Sequence, residues 1–109
     1  ARVEVVLRRY NKTETTLTAG DVVVDTEARK VTKAGKPVIL TNKEYGLLML
    51  FISNKNIALF RENLYEKVWG DEYLADSRTL DLHVQRLRRK MGWEENLVAV
   101  YKVGYRLEI

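Results

Sequence analysis

Apolar residues follow two rhythms along the chain. From Thr16 to Leu40 they come in short clusters, Leu17, Val22–Val24, Val31 and Val38–Leu40, separated by Gly20-Asp21, Gly35 and lysines. Clusters this short, bounded by turn formers, predict a small antiparallel sheet. Pro37 opens its last strand, a position where the missing N–H is tolerated. From Thr41 onward the spacing becomes helical. Thr41-Asn42-Lys43-Glu44 is a capping-box pattern, and the helix behind it is apolar on nearly every side, from Tyr45 to Ile52. That predicts central burial, with Tyr45 in the core and Asn54-Lys55-Asn56 as the break. A second helix, about Arg61–Trp69, carries Leu64, Tyr65, Val68 and Trp69 on one stripe and ends at Gly70. Phe60 stands where its capping side chain belongs, so its start is weakly specified.

The third helix, Arg78–Met91, is preceded by an acidic loop, Asp71–Asp76, with Asp76 or Ser77 able to cap it. At ~100° per residue its apolar residues Leu80, Val84, Leu87 and Met91 fall on one side. The opposite side carries Arg78, Leu82, Gln85, Arg86 and Arg89, with Thr79 at the margin. Arginine can donate two bonds to guanine, glutamine can pair with adenine, and leucine can touch a thymine methyl. Such a face has the chemistry that major-groove readout needs. Asp81 lies on the flank as an ion-pair partner, and Arg88 and Lys90 point sideways as general positive field. Gly92 ends the helix, and Val98–Tyr101 with Tyr105–Ile109 predict a terminal hairpin. Its turn falls near Lys102-Val103-Gly104, Gly104 supplying any positive φ.

Charge sharpens the picture. The chain of 109 residues has a net charge of +4, and Arg78–Lys90 holds five basic residues against the single acid Asp81. That segment accounts for the whole excess, since fourteen residues of each sign remain elsewhere. Localised positive charge attracts a polyanion, most commonly nucleic acid. With no cysteine and one histidine, disulfide scaffolds, thiol catalysis and cysteine or multi-histidine metal sites are excluded. No nucleophile–base spacing and no phosphate-binding glycine loop appears, so the expectation is a non-enzyme without cofactor. The length suits one domain, and the lack of a long apolar run points to a cytoplasmic protein with no membrane partner.

Val68-Trp69-Gly70, then the run from Arg78 to Lys90, then Val103-Gly104-Tyr105-Arg106-Leu107 resemble the DNA-binding effector domain of OmpR/PhoB-type response regulators. The resemblance runs from about Leu17 to Leu107. It implies an α+β winged helix-turn-helix: an N-terminal four-stranded antiparallel sheet, a three-helix core and a C-terminal β-hairpin wing. It further implies double-stranded DNA as partner, bound at direct repeats by head-to-tail pairs. Arg86 resembles the family's base-reading arginine, and Arg78, Thr79, His83 and Trp69 resemble groups near phosphates. The Gly104-Tyr105 segment resembles the wing's backbone contact. For His83 a plain surface role, and for Trp69 core packing, stand as alternatives. Asp71, Glu72 and Asp76 either solubilise their loop or face RNA polymerase. Tyr101 departs from the family's minor-groove arginine, which leaves Lys102 as a substitute contact, and Gln85 replaces a frequent basic residue. Residues 1–9 resemble the end of a receiver domain's last helix. Residues 1–15 then read as helix end and linker, residues 16–109 as the DNA-binding domain, and a receiver domain and cognate sensor kinase as partners of a longer protein.

Overall fold

Turn residues every few positions cut the N-terminal region into four strands: β1 (Thr16–Ala19), β2 (Val22–Asp25), β3 (Lys30–Lys33) and β4 (Lys36–Val38). The structure, a computed structural model, describes residues 16–70 and 78–109. The readings of residues 1–15 and of the 71–77 loop, including a cap from Asp76 or Ser77, therefore lie outside the described residues. The four strands pair antiparallel in chain order. Leu17 lies opposite Val24, Val24 opposite Val31, and Val31 opposite Val38, which makes a continuous aliphatic row on one face. The next row, Thr18, Val23, Thr32 and Pro37, is mixed in polarity and belongs to the other face. The last strand begins at Lys36, earlier than the sequence pattern predicts. Pro37 is its second residue, tolerated because β4 is an edge strand.

The chain divides into two compact units, Ala1–Ile39 and Leu40–Ile109. In the second unit α1 (Asn42–Ser53) starts with the predicted capping box. The Thr41 hydroxyl accepts from the Glu44 amide at 3.2 Å, and the Glu44 carboxylate accepts from the Thr41 amide at 3.0 Å. Leu47, Leu48, Phe51 and Ile52 are buried, whereas Tyr45 is only half-buried, a correction to its expected place in the core. α2 (Arg61–Trp69) has the predicted bounds and no side-chain cap at Phe60. α3 (Thr79–Met91) begins one residue later than expected, because Arg78 is its N-cap residue. Gly70 and Gly92 close α2 and α3 in the left-handed conformation, as the sequence predicts.

Two short strands, β6 (Leu97–Val100) and β7 (Gly104–Leu107), make the terminal hairpin, and β5 (Leu59–Phe60) adds a strand that the sequence pattern did not reveal. The order is β5-β7-β6, all antiparallel, so β7 is central. Gly104 does not supply the positive φ of the turn; Lys102 does, at 62°. Glycine is required at 104 for space. A Cβ there would collide with the Leu59 carbonyl oxygen and stand 2.8 Å from the Arg61 amide nitrogen, so the β5 backbone can approach β7 only because no side chain intervenes.

Candidate nucleic-acid interface

The candidate interface is built on α3. Leu80, Val84, Leu87 and Met91 are fully buried and fix which side of the helix faces out. The outward side presents Thr79, Leu82, Gln85, Arg86 and Arg89, all exposed, with Arg78 exposed just ahead of the first turn. Leu82 keeps 50% of its surface in water, in the middle of this basic face. Among the described residues Arg78, Arg86 and Arg89 have no ion-pair partner. Their guanidinium groups are therefore available to a ligand, in the fork geometry that suits guanine edges and phosphates.

The other two basic residues of the helix are structural ties, which corrects their expected role as general field. Arg88 donates through Nε to the Leu97 carbonyl and through Nη1 to the Gln85 side-chain oxygen, both at 2.9 Å, joining α3 to β6. Gln85 is thus outward and exposed, but its acceptor is engaged. That oxygen keeps a second lone pair, so Gln85 can still offer donor and acceptor together to adenine. The Lys90 ammonium lies 2.6 Å from the buried Glu44 carboxylate. Burial pushes the Glu44 carboxyl up, while Lys90, the Thr41 amide and the more distant charge of His83 pull it down, and the net position is below the usual range.

The flanks of α3 are held from two sides. On one flank, the Asp81 carboxylate joins three elements. Arg61, the first residue of α2, meets it through both terminal nitrogens, at 2.7 and 2.8 Å, and the Tyr105 hydroxyl of β7 donates to it at 2.5 Å. The Arg61 hydrogen bond holds Asp81 below its ordinary pKa, with Tyr105 adding to it against the opposing effect of burial. Burial, then the bond to Asp81, raises the Tyr105 phenol. Asp81 is the ion-pair partner that its flank position predicts. Arg61 was not singled out from the sequence, because its partner is 20 residues away.

On the other flank His83 Nδ1 lies 2.8 Å from the Thr79 carbonyl oxygen. A carbonyl only accepts, so Nδ1 carries the proton of this bond and the ring is held with Nε2 turned away from Thr79. The His83 ring meets Trp69 edge to face at 5.0 Å, and Trp69 stacks on Tyr65 at 4.9 Å. Lys43 donates to the Val68 carbonyl at 3.2 Å, with its ammonium 5.5 Å from the Trp69 ring centre. Trp69 is half-buried, so packing accounts for part of its surface only.

At the hairpin tip Tyr101 and Lys102 are exposed, and the Lys102 ammonium is 5.4 Å from the Tyr101 ring centre. Tyr105, by contrast, is only 7% exposed, its hydroxyl turned inward to Asp81. Its side chain orients α3 and leaves the surface to its neighbours. Asp71, Glu72 and Asp76 lie outside the described residues. Within those residues no cluster of His, Asp or Glu could hold a metal, and no helix is long and apolar enough to cross a membrane.

Residues 35–107 match the family model described as transcriptional regulatory protein, C terminal. The transcriptional regulatory protein CseB of Streptomyces coelicolor is 38% identical, over 99% of this chain and 52% of its own length. The crystal structure of the DNA-binding domain of Bacillus subtilis CssR superimposes with a TM-score of 0.69 at 41% identity, covering 79% of this chain and 98% of that one. The DNA-binding domain of the response regulator AdeR, solved in complex with an intercistronic region, gives a TM-score of 0.72 at 28% identity, covering 84% and 97%. The chain spans about half the length of the curated relatives it matches.

Proposed function

The chain belongs to the transcriptional regulatory protein, C-terminal family, as a winged-helix effector domain of the OmpR/PhoB response-regulator type, and on that premise we propose that it binds double-stranded DNA sequence-specifically through α3. The single observation that carries this reading is the division of α3 into a fully buried apolar stripe and an exposed face on which arginines without ion-pair partners surround a half-exposed leucine. A helix is about 10–12 Å across with its side chains, close to the width of the major groove. Laid there, its outward residues reach base edges and its flanks face the two phosphate strands.

In this reading Arg86 donates to a guanine, Leu82 packs on a thymine methyl, and Gln85 and Arg89 contact neighbouring bases or phosphates. Arg78, Thr79, His83 and Trp69 line phosphates. Lys102 meets the backbone or minor groove from the hairpin, and Tyr105 holds hairpin and helix in register through Asp81. Residues 16–109 form the DNA-binding domain, preceded by the end of a receiver helix and a linker in residues 1–15. The whole protein is then a cytoplasmic two-component regulator: a receiver answers a sensor kinase, paired domains occupy direct repeats head to tail, and Asp71, Glu72 and Asp76 face RNA polymerase. This function asks for no catalytic group and no cofactor. Selection of bound sites from random duplexes tests it. The expected result is a single enriched half-site motif, repeated in tandem. Enrichment of no motif, with affinity that tracks salt alone, would leave only nonspecific polyanion binding.

A further inference from the structure

One side of α2 carries a feature that DNA binding does not use. At ~100° per residue, Asn63 and Lys67 lie roughly opposite Tyr65 and Trp69 on that helix. Tyr65 and Trp69 stack, and Trp69 meets His83 of α3, so Asn63 and Lys67 are on the far side. There the end of α1, β5 and α2 enclose a cavity of about 150 Å³, open to solvent and lined by Leu50, Asn54, Leu59, Asn63, Leu64 and Lys67. Its apolar lining is fixed from three directions. Leu64 is buried in the core, and Leu59 is paired with Tyr105 in the β5–β7 ladder. Leu50 belongs to the last turn of α1, where the Asn54 side chain donates to its carbonyl at 2.8 Å. The exposed part of the lining is polar. Asn63 and Lys67 stand four residues apart, neighbours on one helix face. Among the described residues neither side chain has a hydrogen-bond or ion-pair partner.

We infer that this cavity is a site for a small amphipathic carboxylate, an aromatic or branched aliphatic acid of one ring's size. Its apolar body packs on the three leucines, and its carboxylate is held by the Lys67 ammonium and the Asn63 side-chain amide. Size selects the body. An apolar cavity of about 150 Å³ admits a molecule such as benzene, and sites for larger ligands run to roughly 300–1,000 Å³. Charge selects the head. Lys67 offers one cation and Asn63 one amide donor, a pair that suits a single carboxylate. Glu62 and Glu66 occupy the adjacent row of α2, one turn apart. An acidic peptide laid across this surface would meet their two carboxylates beside the one cation, whereas a monoanion seated in the cavity does not. The inference stands apart from the DNA-binding reading, since the cavity lies on the side of α2 opposite the His83 contact.

The test titrates three probes into the whole chain and follows the backbone amides by NMR: sodium benzoate, benzamide as the ring without the charge, and sodium acetate as the charge without the ring. Benzoate is expected to saturate in the millimolar range, as suits so small a ligand, with the largest shifts at the cavity residues. At saturation it should also raise the melting temperature. Benzamide should bind several-fold more weakly, and acetate should give no saturable shift there. Lys67→Met keeps an apolar stem and removes the charge. It should weaken benzoate about three- to tenfold and leave benzamide unchanged, a split that a merely structural lysine does not give. Leu50→Phe places a ring in the cavity and should abolish binding of both. Should that variant fail to fold, Lys67→Met decides, because Lys67 is exposed. The site is overturned if benzoate shows no saturable shift at these residues, if acetate or benzamide binds as well as benzoate, or if Lys67→Met keeps the parent's benzoate affinity. A parent that selects DNA sites and binds no benzoate overturns this inference alone.

Discussion

α1 and α3 are nearly equal in length, 12 and 13 residues, and are put to opposite uses. In α1 local stability and residue choice agree. Thr41 and Glu44 satisfy the first amides, and Leu47, Leu48, Phe51 and Ile52 are buried behind them. In α3 they agree on one side only. Its inward stripe is as deeply buried as that of α1, and the cations of its last turn, Arg88, Arg89 and Lys90, suit the negative end of the helix dipole. Arg78 does not: it puts a cation at the positive end, on an N-cap position where its side chain makes no capping bond. Leu82 leaves half its surface in water, and Lys102 occupies a backbone region that suits glycine. The comparison teaches that α3 is specified for folding on its inward side only: its outer face and N-cap carry residues that local stability does not ask for, and the proposed DNA contacts give them a use.

The largest expected effect breaks the comparison on the inward side. Leu87→Ala empties a fully buried site and should cost about 2–5 kcal/mol in a denaturant titration. Leu82→Ala, five residues away on the outer face, should stay within about 0.5 kcal/mol of the parent and weaken DNA binding instead. Similar stability losses for both would mean that the two faces are not divided as described. Gly104→Ala comes next. With the Leu59 oxygen and the Arg61 nitrogen in the way of a Cβ, β5 must leave β7, at a cost of roughly 3 kcal/mol. A thermal melt unchanged from the parent would contradict the close approach of those backbones.

A smaller effect concerns acid. Glu44 and Asp81 both titrate below their ordinary values, held by Lys90 and Arg61. A carboxylate with a lowered folded-state pKa contributes stability that is fully present above its unfolded value, about 4, and is lost as pH falls through the folded one. Stability should therefore decline as pH drops from about 5 towards 2, and Glu44→Gln should make that decline shallower. Unfolding titrations across the range check it; an identical acid slope in parent and variant would separate Glu44 from the acid response.

How much of this was legible in the sequence depended on range. Local signals carried through: the Thr41–Glu44 box, the closures at Gly70 and Gly92, the four inward residues of α3 and its exposed outer face. Long-range pairings did not. β5 is two residues long, too short to show alternation, and exists because β7, more than 40 residues later, pairs with it. Lys90 meets Glu44 across 46 residues and Arg61 meets Asp81 across 20, so Lys90 reads from sequence as free charge and Arg61 as nothing in particular. Gly104 was noticed for the wrong property, since composition records a missing side chain without saying whether φ or space requires it.

Sequence readout by α3 is the central claim, and Arg86 against Arg78 tests it most directly. Both side chains are exposed, Arg86 two turns into the outward face and Arg78 at the helix start. Once both variants have been shown to fold by thermal melts, binding sites are selected from random duplexes with the parent, Arg86→Ala and Arg78→Ala. Loss of a bidentate guanine contact should cost about 1–3 kcal/mol and flatten one base-pair position of the motif. Loss of a phosphate contact should weaken every sequence alike and make the salt slope shallower by about one unit, leaving the motif intact. The account predicts the first outcome for Arg86→Ala and the second for Arg78→Ala. If both variants return the parent's motif unchanged, α3 is a phosphate-binding surface and sequence-specific readout through Arg86 is contradicted.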